Sequence, residues 1–133
     1  MTWMFDEKLK DPDLLERYEQ KIGYRFPESF RNCVMEHDGG YPDADGFDTE
    51  CTEERHFSNL LSFDPESEES IWVIRGLLES TTGMRYAVFA VSGFGDEICF
   101  RTEDGAVVFL DHETRRVEYV APSFEAFLDK LYE

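Results

Sequence analysis

Asp111-His112-Glu113 places an imidazole between two carboxylates, an arrangement that acid–base catalysis or metal binding can use. A hydrolase built on this motif would need Asp96, Asp111 and His112 to converge on one pocket. The chain holds no G-x-S-x-G, no H-E-x-x-H and no P-loop, so no recognisable nucleophile or phosphate motif accompanies them. A polar hairpin turn is therefore the favoured interpretation, and we expect no catalytic residues.

Two further motifs resemble ligand loops only in part. The segment from Asp43 to Glu54 has the acid spacing of a calcium loop, with glutamate at the twelfth position but Asp48 where the sixth-position glycine is needed. Gly93-Phe94-Gly95 supplies two glycines of a dinucleotide fingerprint, but a strand and not a helix is predicted to follow. We expect no metal site and no cofactor.

The most unusual charge pattern lies between Asp43 and Glu69. Arg55 is the single Lys or Arg in this stretch. The acids are Asp43, Asp45, Asp48, Glu50, Glu53, Glu54, Asp64, Glu66, Glu68 and Glu69. Such a stretch forms either a solvated loop and helix start or a docking surface for a basic partner, and both remain open. Tyr41 and Phe47 are the aromatic residues nearest these acids that we expect to anchor such an interface.

The net charge of −17 limits the possible partners of the chain. Phosphate binding needs clustered Lys and Arg, so nucleic acid and an anionic membrane surface are both disfavoured. Fast association with a basic protein partner is favoured.

The three cysteines, Cys33, Cys51 and Cys99, form no C-x-x-C pair, and free thiols are expected. No secretory n-region and no apolar run long enough to span a bilayer is apparent, which predicts a cytoplasmic protein. The oligomeric state is not indicated.

The elements that position these groups begin with two helices. Asp11-Pro12 opens the first, with Leu15, Tyr18 and other apolar residues on one face, and Gly23 ends it. Phe26-Pro27 starts the second, which stops at Asp38-Gly39-Gly40. A strand is expected within residues 56–63, and a central helix is expected after Asp64-Pro65.

The last third of the chain predicts an antiparallel meander and a closing helix. Strands are expected at residues 86–91, around Ile98 and Phe100, at 107–110, and around Val117 and Tyr119. Ser123 can cap a final helix. The chain is thus predicted to be one α+β domain over residues 1–133, with a meander of about four to six strands packed by four helices, two N-terminal, one central and one C-terminal.

Several of these segments together resemble the SUKH superfamily, of the Smi/Knr type. The resemblance begins in the stretch from Leu15 to Gly40, with Ile22-Gly23, Phe26-Pro27 and the Gly39-Gly40 turn. It continues at residues 89–90, 92–96, 98–100, 105, 107–109, 111–113, 121 and 123–128. Bacterial members are immunity proteins that neutralise toxins, often nucleases, and fungal members regulate cell-wall synthesis. The resemblance implies a non-enzymatic immunity protein that occludes a polymorphic toxin, expected to be a nuclease. The alternative is a regulatory scaffold that binds a cellular protein.

Overall fold

The computed structural model of the protein describes residues 2–73 and 85–133. Its described part contains three helices and three antiparallel sheets, of which the largest has five strands. The predicted α+β class is therefore confirmed, as is a meander within the expected range of strand number.

Both N-terminal helices begin and end close to the predicted residues. Helix α1 spans Asp13–Ile22 and ends at Gly23, whose φ of 72° is the left-handed conformation that glycine adopts readily. Helix α2 spans Glu28–His37 and follows Pro27. Asp38 then returns the backbone to an extended conformation, and the positive φ belongs to Gly39. The glycine pair thus forms a turn just beyond the helix.

Two short ribbons precede the main sheet. Strand β1 (Trp3–Met4) pairs with β2 (Tyr41–Pro42), and β3 (Gly46–Phe47) pairs with β4 (Arg55–His56), both antiparallel. The strand expected within residues 56–63 is divided, because β4 ends at His56 and the next strand, β5, covers only Asn59–Leu60.

The main sheet follows chain order, with strands β5 to β9 each antiparallel to the next. Beyond β5 its strands are β6 (Tyr86–Val91), β7 (Glu97–Arg101), β8 (Val107–Leu110) and β9 (Val117–Ala121). Helix α3 (Phe124–Asp129) follows, and Ser123 caps it by accepting a hydrogen bond from the Ala126 N–H. The predicted meander and its closing helix are confirmed.

The core consists largely of phenylalanine rings between this sheet and the helices. The ring of Phe30 on α2 lies 5.2–5.3 Å, centroid to centroid, from the rings of Phe89, Phe100 and Phe124. Phe89 and Phe100 stack at 4.4 Å on neighbouring strands. Offset and edge-to-face ring pairs stabilise a core beyond the area they bury, so α2, the sheet and α3 form one packed unit.

The predicted central helix does not begin where expected. Residues 65–73 form turns, with Ile71 buried and the Trp72 indole Nε1–H donating to the carbonyl of Phe63 at 2.8 Å. The remainder of that predicted helix, including Ile74, Leu77 and Leu78, lies outside the described residues.

Candidate partner-binding surface

The acids predicted to form one docking surface divide into two groups. Those from Asp43 to Glu54 lie on a loop that runs beside β9 and the C-terminus, whereas those from Asp64 to Glu69 lie on a turn beside β5. The division follows from the intervening residues, because Phe57, Leu60 and Leu61 are buried in the core between the two groups.

Several carboxylates in the first group are held by hydrogen bonds within the chain. Asp48 accepts from the Tyr132 hydroxyl at 2.7 Å and from the Glu54 N–H, and the hydroxyl contact holds the pKa of Asp48 below its usual value. Glu50 accepts from the Tyr119 N–H at 3.0 Å. Asp43 accepts from the Thr2 N–H. These acids therefore brace the loop, while Glu53 beside them is exposed.

A fully buried carboxylate, Glu118 on β9, fixes the same loop. Its Oε1 accepts hydrogen bonds from the hydroxyls of Thr49 at 2.6 Å and Thr52 at 2.7 Å. Burial opposes ionisation of Glu118, but these hydroxyls, Arg116 and the charge of Arg55 outweigh it and lower its pKa. A charge of this kind is tolerated in the interior because it is both paired and hydrogen-bonded.

Arg55, the single Lys or Arg of the acidic stretch, is turned toward the protein. Its guanidinium donates to Asp111 at 3.1 Å and to the Thr52 hydroxyl at 2.9 Å, and it lies 4.6 Å from the centroid of the Phe109 ring. The positive charge of Arg55 is therefore directed at groups of the protein itself.

The second group of acids lines an open cleft with a volume of about 410 Å³. The acidic residues around it are Glu7, Asp38, Asp64, Glu66, Glu68 and Glu69. A series of turns shapes this wall, since the Asp64 carboxylate accepts from the Glu66 N–H at 2.9 Å and the Ser62 N–H donates to the Glu69 carbonyl at 3.0 Å. We call this feature the acidic cleft.

Asp38 is one of the buried residues that line the acidic cleft. Burial raises its pKa, although the Ser62 hydroxyl and the Phe63 N–H donate to its carboxylate. Backbone hydrogen bonds in both directions between Glu7 and Asp38 bring the N-terminal segment to the same place. The cleft is thus assembled from three separate parts of the chain.

Two aromatic rings stand at the edge of the acidic cleft. Phe5 is 85% exposed and has a φ of 54°, and its ring meets the ring of Tyr41 edge-on at 5.7 Å. Tyr41 therefore lies beside the second group of acids, and its role as an anchor stays a prediction.

Phe47 requires a correction. Its side chain is 0% exposed, with ring centroids 5.8 Å from Phe109 and 5.4 Å from Phe127. The ring fills the core because burial of a phenylalanine outweighs the polarity of its sequence neighbours. It is not a surface anchor in this structure.

Asp96, Asp111 and His112 do come together, as a hydrolase would require. One ligand atom from each lies within 4.8 Å of the others, and His112 Nδ1 is 2.6 Å from Asp96 Oδ1. However, Asp96 also interacts with the Ser92 hydroxyl, and Asp111 pairs with Arg55 and accepts backbone hydrogen bonds from Glu113 and Thr114. Through these contacts the cluster joins the β6–β7 turn to the β8–β9 turn.

The other motifs occupy turns or the protein interior. Gly93-Phe94-Gly95 connects β6 and β7, with Phe94 exposed. Gly46 of the calcium-like segment lies in strand β3. Cys33, Cys51 and Cys99 are free thiols, as predicted, and burial raises the pKa of Cys33 to about 12.

Sequence reasoning missed several residues of the acidic cleft, of which four bear on its chemistry. They are Phe5, Glu7, Asp38 and Asn59. Two signals in the sequence point to this cleft: Asp38 directly precedes the glycine pair, and Asn59 is a polar residue within an apolar run.

The comparison with protein families agrees with this architecture. The family model described as SMI1-KNR4 cell-wall, SUKH_6, matches residues 12–128, and the chain therefore belongs to the SUKH, or SMI1-KNR4, family. No curated protein matches the chain. Within residues 2–73 and 85–133, none of the helices has the length and apolar character needed to cross a bilayer.

Proposed function

We propose that this chain is an immunity protein that binds a toxin domain and neutralises it by stoichiometric occlusion. Membership of the SUKH family supports a protein-binding role of this kind or a Smi1/Knr4-related scaffold. The observation that carries the more specific proposal is the acidic cleft, where Glu66 and Glu68 are exposed next to the ring of Phe5.

A nuclease is the toxin class that best fits this surface. A nuclease groove is basic because it holds a phosphate backbone, and a carboxylate surface can take the place of that backbone. The net charge of −17 would accelerate encounter with such a groove. The exposed aromatic ring would then supply buried contact area, which usually dominates the binding energy.

Catalysis has no part in this proposal. The SUKH family is generally non-catalytic. Among the described residues, Asp96, Asp111 and His112 resemble acid–base machinery, but the two carboxylates are held by hydrogen bonds and by an ion pair with Arg55, and no recognisable nucleophile motif accompanies them. We propose that the chain binds the toxin in the cytoplasm, where a delivered nuclease would meet its substrate.

The test uses the product of the reading frame adjacent to the gene for this chain. Expression of that product alone should arrest growth, co-expression of this chain should restore it, and calorimetry should give one copy bound per toxin domain. The association rate should fall roughly tenfold between 0.05 and 0.5 M salt, because the Debye length shrinks across this range. An adjacent product that is harmless, or arrest that this chain does not relieve, would contradict the proposal.

The second candidate is a scaffold that binds a cellular protein without any toxin. The description of the matching family model, which contains the term cell-wall, favours it. Deletion of the gene in cells that lack the toxin gene separates the two functions. A growth or cell-wall defect in that background supports the scaffold, whereas wild-type growth supports immunity.

A further inference from the structure

The floor of the acidic cleft contains a buried amide with an unused acceptor. Asn59 is 2% exposed, and its Nδ2 donates to the carbonyl of Leu60 at 3.0 Å and to Glu69 Oε2 at 3.1 Å. Both partners are acceptors only, so the amide nitrogen is the atom that must face them. Asn59 Oδ1 consequently has no hydrogen-bond partner among the described residues.

An orphaned buried acceptor is uncommon, because most buried polar side-chain atoms have a hydrogen-bond partner. Asn59 is one of the residues that line a cleft whose wall is rich in carboxylates, including Glu7, Glu66 and Glu68. None of the described residues that line the cleft is a lysine, arginine or histidine. A complementary ligand must therefore bring hydrogen-bond donors and positive charge together.

The spacing of the carboxylates favours an extended cation over a metal ion. Among the described residues, the only three His, Cys, Asp or Glu ligand atoms that gather within 4.8 Å belong to Asp96, Asp111 and His112, away from this cleft. A guanidinium offers five N–H donors in a planar fork and has no acceptor. It can contact several separated carboxylates at once, which a single small ion cannot do.

The aromatic edge of the cleft also favours arginine over lysine. A guanidinium stacks on aromatic faces while its edge donates hydrogen bonds. The paired rings of Phe5 and Tyr41 stand beside the acids, and Phe5 is the more exposed. A single arginine side chain that enters past the two rings can stack on a ring and also donate hydrogen bonds to the carboxylates.

We propose that the acidic cleft binds an arginine side chain of the basic protein partner, with the guanidinium beside the carboxylates of Glu66, Glu68 and Glu69, the last of which accepts a hydrogen bond from the Asn59 side-chain amide. This inference rests on the proposed function for the identity of the partner, but the site can be tested without any partner. The proposal assigns recognition of the partner to the acids from Asp64 to Glu69. The acids from Asp43 to Glu54 stabilise a loop instead.

The experiment is an NMR titration of isotopically labelled protein with N-acetyl-arginine methylamide. We expect shift changes at the Asn59 side-chain amide and at backbone amides of residues 38–41 and 66–69. N-acetyl-citrulline methylamide, which has nearly the same shape without the charge, should leave these signals in place. N-acetyl-lysine methylamide should bind more weakly than the arginine probe.

Matched double variants control for general electrostatic attraction. Glu66→Gln with Glu68→Gln should weaken binding of the arginine probe roughly three- to tenfold, as expected from two partly exposed ion pairs. Glu53→Gln with Glu54→Gln removes the same charge from the other acidic group and should change binding less than twofold.

The inference fails if citrulline or lysine shifts the same signals equally, or if the two double variants weaken binding to the same degree. It also fails if calcium chloride shifts the cleft signals at lower concentration than the arginine probe, since the cleft would then be a metal site. These outcomes are independent of toxin neutralisation. If the chain relieves growth arrest but does not bind the arginine probe, only this inference is wrong. If it binds the arginine probe but does not relieve growth arrest, only the immunity function is wrong.

Discussion

Glu118 on β9 accepts a 2.6 Å hydrogen bond from the hydroxyl of Thr49, a residue 69 positions earlier in the chain. The carboxylate is fully buried, and Thr52 donates to the same oxygen. These hydrogen bonds hold the polar stretch around Thr49 and Thr52 in one ordered loop. The acids of that loop therefore differ in role from the acids of the acidic cleft.

Replacement of Thr49 by valine should therefore destabilise the protein. The change keeps the shape but removes a donor to a buried charged acceptor, which costs about 1.5–3 kcal/mol. Chemical denaturation at pH 7 measures the effect. Thr2→Val, at the exposed N-terminus, is the matched control and should leave the unfolding free energy within about 0.5 kcal/mol. Equal stability of the two variants would contradict the assigned role of Glu118.

Phe47 and Phe94 provide a pair of identical substitutions with opposite expectations. Phe47→Ala removes a fully buried ring from contact with Phe109 and Phe127 and should cost about 3–5 kcal/mol. Phe94→Ala truncates a ring that is 74% exposed at a turn and should cost less than about 0.5 kcal/mol. Thermal and urea unfolding of both variants test this. A small loss of unfolding free energy in Phe47→Ala would indicate that the ring of Phe47 lies at the surface.

His112 should make stability depend on pH. The hydrogen bond from His112 Nδ1–H to the Asp96 carboxylate raises the pKa of His112 above its usual 6.5. A raised pKa means that the folded state binds the proton more tightly, so this contribution is complete below pH 6.5 and is lost as pH rises through the folded-state value. NMR titration of the imidazole should give the raised value directly.

Asp96→Asn is the control for that titration. The pKa of His112 should move back toward 6.5, and the loss of stability above that pH should shrink. An unchanged imidazole titration would show that Asp96 is not the cause.

Gly46 is required for a close approach of the C-terminus. A Cβ there would lie 2.8 Å from Tyr132 Cε1 and 2.9 Å from its carbonyl oxygen, and backbone hydrogen bonds join the two residues in both directions. Gly46→Ala should therefore displace the C-terminal residues and lower the unfolding free energy by about 1 kcal/mol or more.

Gly93→Ala is the natural comparison, since nothing lies within 4 Å of a Cβ built there. Amide hydrogen exchange of Tyr132, with the melting temperature, distinguishes the two variants. Retained protection in Gly46→Ala would mean that the backbone adjusts without breaking the contact.

The elements predicted correctly depend on local patterns. Strands β6 and β8 match the apolar runs at residues 86–91 and 107–110, and Ser123 caps α3, because periodicity and capping are properties of neighbouring residues. The acidic cleft depends instead on contacts between distant segments. Glu7, Asp38 and Asn59 come from separate segments that line one cleft in the folded chain, and no local pattern encodes that arrangement.

The misplacement of Phe47 has a similar origin. Its neighbours Asp45 and Asp48 favoured an exposed loop, but the two-residue strand β3 turns the ring inward. Likewise, Asp64-Pro65 has the features of a helix start, yet hydrogen bonds of Ser62 with Glu69 and Ile71 hold the following residues in turns. In both cases a tertiary contact outweighs the local preference.

The loop held by Glu118 also covers the outer side of β9. Glu50 donates its N–H to the Tyr119 carbonyl and accepts the Tyr119 N–H on its carboxylate, so the main-chain groups of Tyr119 that face away from β8 are occupied. An incoming chain cannot add a strand at that position without first displacing the loop. The loop thereby hinders edge-to-edge pairing of two copies of this chain at Tyr119.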